Sequence, residues 1–314
     1  MTTVHPSTAR GRPRRRSRRR SRRRLAWLGT ALVLAVAANG CQYNIAVFGD
    51  MPYETSQEDD YERLIAAVNN DTVDFSSHVG DIQSSSTTCT DAVVQKNIAW
   101  FDTFDEPLIY TPGDNEWTDC SGQLTRLARL RQLVFRNDGA TSRGRTTRHL
   151  DSQVAQGYPE NARWTHGHVT FVTVHVVGSS DNKSNTSEWT ARRAAGLDWL
   201  RRAFDHASSR GDTGIVVIAH SGLRFERAEG DKGAYESFFQ AVRSETLAFG
   251  GQVLYVHGDG HSFHDDRPLK TTSGQTVANF RRVEVYGGGT VRWVKISIDD
   301  ETPGVFTVTS PPRP

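Results

Sequence analysis

The stretch "GQVLYVHGDGHSFH", residues 251–264, carries an apolar, β-branched run straight into two glycines flanked by aspartate and histidine. The run has the make-up of a strand. A loop of small residues at a strand end lets side chains such as Asp259 and His261 converge with groups from other strand ends, as a polyvalent site requires. The same arrangement recurs upstream in "NIAVFGD" (44–50), "FSSHVGD" (75–81), "PLIYTPGD" (107–114) and "GIVVIAH" (214–220). Each is a short strand-like run, apolar in all but the second, that stops at a carboxylate or an imidazole. Helical patterns lie between these runs, at 57–70, 91–104, 123–135, 187–209 and 234–248, with a further strand at 168–177. Strands alternating with helices predict a layered α/β protein. The all-strand tail "FRRVEVYGG", "VRWVKISID" and "GVFTVTS" predicts a second, mixed or antiparallel sheet. Open α/β sheets collect ligands at the carboxyl ends of their strands, so Asp50, Asp81, Asp114, His220, Asp259 and His261 are expected to face one crevice.

From about Ile45 to His264 the series resembles the calcineurin-like metallophosphoesterases. That family carries the blocks D-x-H, G-D, G-N-H-[DE], a lone His and G-H-x-H, which here read "GDMP", "GD", "GDNE", "AHSG" and "GDGH". The resemblance implies a four-layer α/β/β/α sandwich of two mixed sheets and hydrolysis of a phosphate ester by metal-activated water. It places Asp50 and His261 on a first divalent ion, Asp81 between two ions, and His220 on the second. Pro52, Asp114 and Asp259 stand where the family has ligand histidine, asparagine and histidine. Asn115 stands in the catalytic position of the histidine that assists the leaving group.

These departures have physical consequences. Four carboxylates would cancel the charge of two dications and weaken attraction for a phosphate dianion. Oxygen ligands outnumber nitrogen, a set that favours Mn²⁺, Mg²⁺ or Ca²⁺ over zinc or iron, with one or two ions held. Asparagine has no proton to give, so His257 is the expected donor. Arg163, Arg224 and His264 are the expected contacts for substrate oxygens. His78, three residues before Asp81, turns to the opposite face of a regular strand and is expected in the core. The polar segment 178–188 is expected to be a mobile loop.

Residues 1–24 contain eleven arginines and no acid, and "LAWLGTALVLAVAANG" (25–40) follows. That order is the one found in export signals, and "SRRRLA" (21–26) resembles the twin-arginine type. The uncharged part, Leu25 to Ala38, is shorter than the roughly 20 residues needed to span a bilayer. Residues 1–41 are therefore expected as a signal and 42–314 as one metallophosphoesterase-like domain. Two outcomes stay open: cleavage after "AVA" (35–37), or a lipid anchor on Cys41. Without the tract, 27 of the 38 basic residues remain against 36 acidic ones, a net charge of −9. An acidic mature chain argues against nucleic acid as a stable partner and against the membrane, apart from that anchor. The expected partner is a small-molecule phosphoester; monoester, diester, nucleotide and lipid-linked phosphate all remain open. Cys89 and Cys120 lie in polar stretches, and in an exported chain they are expected to form a disulfide.

Overall fold

The computed structural model describes residues 41–313. Except for Cys41, the expected export signal lies outside them. The first half runs β1 (Gln42–Phe48), α1 (Glu58–Asn69), β2 (Phe75–His78), α2 (Asp91–Phe101), β3 (Leu108–Tyr110), α3 (Gln123–Val134), β4 (Asp151–Gln153), β5 (Tyr158–His166) and β6 (Val169–Thr173). It continues with α4 (Gly178–Asp181), α5 (Thr186–Arg210), β7 (Gly214–Ile218), α6 (Glu236–Ala248), β8 (Gln252–His257), β9 (His264–Asp266), β10 (Phe280–Glu284), β11 (Val294–Asp299) and β12 (Phe306–Thr309). One sheet has the order β12-β11-β1-β2-β3, the other β4-β5-β6-β7-β8-β10-β9. In the first sheet β1, β2 and β3 are parallel and β11 joins β1 antiparallel; in the second, β6, β7, β8 and β10 are parallel.

Period-two alternation explains why the sheets stack. In β1, Ile45 and Val47 face a core shared with Val216, Ile218, Leu254 and Val256 of the other sheet. Ala46 and Phe48 face outward, onto Tyr61, Leu64, Ile65 and Val68 of α1 and onto Phe101 and Leu127. In β7 the same alternation sends Ile215 and Val217 onto Trp199, Ala203 and Phe204 of α5 and Phe238 and Val242 of α6. Three apolar layers between four layers of structure make the α/β/β/α sandwich. Among the described residues no helix is long and apolar enough to cross a membrane.

Three strands were not legible as such. β5 contains Pro159, Glu160 and Asn161, which disfavour strands. They are tolerated because Arg131 forks the buried Glu160 carboxylate, and Asn161 donates to Gln153 at 2.7 Å. β4 and β9 have three residues each, and β9 is exposed along its length. The segment expected to be mobile is instead built around a left-handed run, Ser179 to Asn182, whose Asp181 is fully buried and paired with Arg192 at 2.6 Å. α5 begins four residues after that run.

Cys89 and Cys120 form a disulfide across 31 residues, tying the loop after β2 to the loop after β3. The remaining cysteine, Cys41, stands apart from it, its backbone N–H donating to Asp300 at 2.8 Å. In the chain-entropy model a loop of this length stabilises by about 3–4 kcal/mol. Serine at both positions is expected to lower the unfolding free energy by that amount in urea titration; an unchanged midpoint would show the loops to be held by packing alone.

Candidate metal centre

β1, β2, β3, β7 and β8 all deliver their carboxyl ends to one edge, and there the chain turns sharply. Asp50 and Asp81 both have φ 56°, Asp259 has φ 70° and His261 φ 62°. Aspartate is among the few residues that enter this left-handed region readily. The strands accordingly stop short of their aspartates. The turns are stitched together by Asp50 N–H to Gly80 O (2.9 Å) and Gly258 N–H to His220 O (2.8 Å). Two glycines are required by close approach: a Cβ on Gly258 would run into Asp50 Oδ2, and one on Gly178 into the Oδ1 atoms of Asp114 and Asp259.

His220 stands at the middle of the cluster, fully buried. Its Nε2 lies 2.9 Å from Asp114 Oδ1, 3.5 Å from Asp81 Oδ1 and 3.8 Å from Asp259 Oδ1. Its Nδ1 is 2.9 Å from the Val79 carbonyl, to which it donates, so Nε2 is the nitrogen free to ligate. Two triads, Asp50–Asp81–His220 and Asp114–His220–Asp259, each bring ligand atoms within 4.8 Å of one another. His261 Nε2 is 3.4 Å from Asp50 Oδ1. Backbone and hydroxyl donors hold the carboxylates: Asp259 N–H on Asp50 (2.9 Å), Asn115 N–H on Asp81 (3.1 Å), Ser179 on Asp114 (2.8 Å) and Ser221 on Asp259 (2.9 Å).

The electrostatics show what such a cluster lacks. Burial pushes the Asp81 carboxyl well above its usual range, with Glu116, Asp114 and Asp50 adding to the push against the pull of His220. Burial also raises Asp259. Burial would lower His220, but the charge of Asp81 and the hydrogen bond to Asp114 outweigh it and hold the imidazole well above its usual value. Asp114 is held below the carboxylate range: burial raises it, but the bond to His220 and its charge more than compensate. Asp50 Oδ2 is buried without a hydrogen-bond partner among the described residues. Crowded carboxylates that raise one another, with an orphaned oxygen among them, are the donor set a divalent cation satisfies. The residues present fit that group.

The structure brings together Asp50, Asp81, Asp114, Asn115, His220, Asp259 and His261. The cluster lies between two clefts. One, about 320 Å³, is lined by Tyr53, Gln83 and Lys96; the other, about 420 Å³, by Asp259, Arg224, His257, His264 and Arg282. Arg224 and His264 therefore border the same cleft as Asp259. A larger cavity, about 650 Å³, lies at the opposite ends of β7 and β8 and contains none of these residues.

Two expectations need correction. Arg163 lies in β5, paired with Asp151 at 2.9 Å and 5.4 Å over the Trp199 ring, in a pocket that shares no residue with the cluster. That strand went unseen in the sequence, so its distance from the crevice did too. His257 does not fit a proton donor. Burial pushes its pKa down to about 3, and its Nδ1 donates to the Gly258 carbonyl at 2.8 Å, leaving Nε2 without a proton. His78 is a core histidine, packed edge-on against Phe48 with its pKa pushed by burial to about 3.

Tyr53 was missed. Its hydroxyl lies 2.9 Å from Asp81 Oδ2, 3.0 Å from His261 Nε2 and 3.5 Å from both Asp50 Oδ1 and Asn115 Nδ2. The signal was present in "GDMPY", a polar aromatic one residue beyond the proline that replaces a ligand.

No family model matches the sequence, and no curated protein matches it. Solved structures do. A dimetal phosphatase from Danio rerio is similar at a TM-score of 0.56 and 11% identity, covering 87% of this chain and 99% of that one. The TT1561 protein of Thermus thermophilus aligns at TM-score 0.45, 8% identity and 86% and 99% coverage. Vacuolar protein sorting 29 of Cryptosporidium parvum aligns at TM-score 0.34, 11% identity and 86% and 97% coverage. The first of these likenesses, with the four layers described above, shows the calcineurin-like metallophosphoesterase fold.

Proposed function

We propose that this chain, built on the calcineurin-like metallophosphoesterase fold, is an exported metal-dependent phosphoesterase. The observation that carries the reading is Asp81. One of its oxygens faces His220 and the second triad, while the other faces Tyr53, beside Asp50 and His261. A carboxylate so placed would serve two cation positions. Bound there, divalent ions supply an activated water and take up charge developing on the phosphoryl oxygens.

The chain's own residues do the rest. Asp50, Asp81 and His261 would hold an ion at the first position; Asp81, Asp114, His220 and Asp259 would hold one at the second. Arg224 and His264 line the adjoining cleft and meet the substrate's polar groups. Asn115 gives its amide to the Gln83 carbonyl at 2.9 Å and has no proton to transfer. Since His257 has none at Nε2 either, turnover depends on leaving groups that depart unaided. Asn115→His is therefore expected to speed hydrolysis of alkyl phosphoesters, by up to about 10²-fold, and to leave aryl esters unchanged. Parallel rate measurements on the two ester types check this.

Four carboxylates against two dications leave little net charge, which favours a monoanionic diester over a dianionic monoester. Export is supported by the arginine tract, the short apolar stretch and the disulfide. Intact mass of the secreted protein distinguishes cleavage after Ala37 from a lipid on Cys41. The same charge count favours a second reading, a non-hydrolytic binding or envelope protein on this fold. A panel of aryl mono- and diesters, assayed after chelation and after Mn²⁺ is restored, separates the two. Hydrolysis that follows the metal supports the enzyme; bound metal with no hydrolysis of any ester leaves the binding protein.

A further inference from the structure

We infer that Tyr53 is a ligand of the first ion, its phenol oxygen replacing the imidazole that Pro52 cannot supply. The assignment rests on the reading of the cluster as a two-ion centre and names a donor that the block pattern does not contain. Donor atoms 2.0–2.3 Å from one ion are separated from one another by about 2.8–3.7 Å in octahedral or tetrahedral geometry. The Tyr53 hydroxyl lies 2.9 Å from Asp81 Oδ2, 3.0 Å from His261 Nε2 and 3.5 Å from Asp50 Oδ1, and His261 Nε2 lies 3.4 Å from Asp50 Oδ1. These are polyhedron edges.

A hydrogen-bond network alone accounts for the group less well. The phenol proton can serve only one of the two carboxylate oxygens beside it, Asp81 Oδ2 and Asp50 Oδ1, while Asn115 Nδ2 donates to the hydroxyl from the far side, and Asp50 Oδ2 is left unpartnered among the described residues. The residue is also held in place. Its backbone N–H donates to Gln57 Oε1 at 2.7 Å, Gln57 in turn donates to the Gly288 carbonyl, and the ring meets His261 edge-on at 5.3 Å. Tyr53 lines the 320 Å³ cleft, so it closes the first position on that side. A phenol oxygen makes this position mostly oxygen-lined, with His261 its single imidazole, which disfavours zinc relative to Mn²⁺.

The test titrates metal-free protein with Mn²⁺, following ions bound per chain and tyrosine absorption together. Wild type is expected to bind with a perturbed tyrosine spectrum. In Tyr53→Phe that signal should vanish and affinity for the first ion should fall by more than the roughly 10–100-fold that follows loss of an outer hydrogen-bond partner. The chain has 8 tyrosines, so the Phe variant assigns the signal. Tyr53→His should restore affinity without the signal and shift preference toward Zn²⁺. A Tyr53→Phe protein with unchanged ion number and affinity overturns the assignment while the two-ion reading stands. The assignment is equally overturned if that variant keeps both ions and loses only turnover. A wild type that binds no ion overturns both.

Discussion

Alanine at position 81 is expected to abolish binding of both ions and to lower phosphoester hydrolysis by at least about 10³-fold. Asp81 is the residue whose two oxygens face the two positions, 3.5 Å from His220 Nε2 on one side and 2.9 Å from the Tyr53 hydroxyl on the other. Ions on a phosphoryl group stabilise the transition state by several kcal/mol, and each 1.36 kcal/mol is about a factor of ten in rate. Removal of either neighbour is less severe, because Tyr53 and His220 each face one position only and the other keeps its full set, whereas Asp81 belongs to both. A companion effect separates lost function from lost fold. In the metal-free protein burial, helped by the charges of Glu116, Asp114 and Asp50, pushes Asp81 well up against the pull of His220. Asp81→Ala should therefore melt, without metal, at or above the wild-type temperature. A large loss of apo stability would mean that the residue is a structural one.

The second large effect concerns stability and lies behind the site. Glu160→Gln is expected to cost about 3–5 kcal/mol, the range found when one partner of a buried ion pair is removed. Glu160 is fully buried, forked by Arg131 and 2.7 Å from His175 Nδ1. Burial raises its pKa, but His175 and Arg131 outweigh this and bring it to about 2, against an ordinary value of 4.5. The sign follows from linkage. A carboxylate with a depressed folded pKa stabilises fully above its unfolded value and loses that contribution as pH falls through the folded one. The difference between wild type and Glu160→Gln should thus be complete above pH 4.5 and shrink toward pH 2. Urea titrations across that window check it; a gap independent of pH would show a packing defect instead of a lost charge.

What the sequence disclosed and what it hid divide along a physical line. The strands of the central layers are buried on both faces, so most read as apolar runs, β2 with its buried Ser76, Ser77 and His78 excepted. Most of their ends are punctuated by glycine and aspartate, and at Asp50, Asp81 and Asp259 the chain enters a left-handed turn. Both signals are local, and Asp50, Asp81, Asp114, His220, Asp259 and His261 were legible from them. β5 was hidden because the buried Glu160 and Asn161 imitate a surface loop until Arg131 and Gln153 are brought to them from distant parts of the chain. Arg163 was misplaced for the same reason. The inertness of His257 was hidden because its neutrality comes from burial and a carbonyl that only the folded chain supplies. Tyr53 escaped because a block pattern compares position with position, whereas a phenol one residue further along reaches the same space.

The two-ion centre stands or falls on metal analysis of the purified protein. After equilibration with Mn²⁺ and dialysis, wild type is expected to retain two ions per chain and Asp81→Ala none. A wild-type protein that binds neither Mn²⁺ nor Mg²⁺ at millimolar concentration, with Asp81→Ala indistinguishable from it, would contradict the two-ion centre.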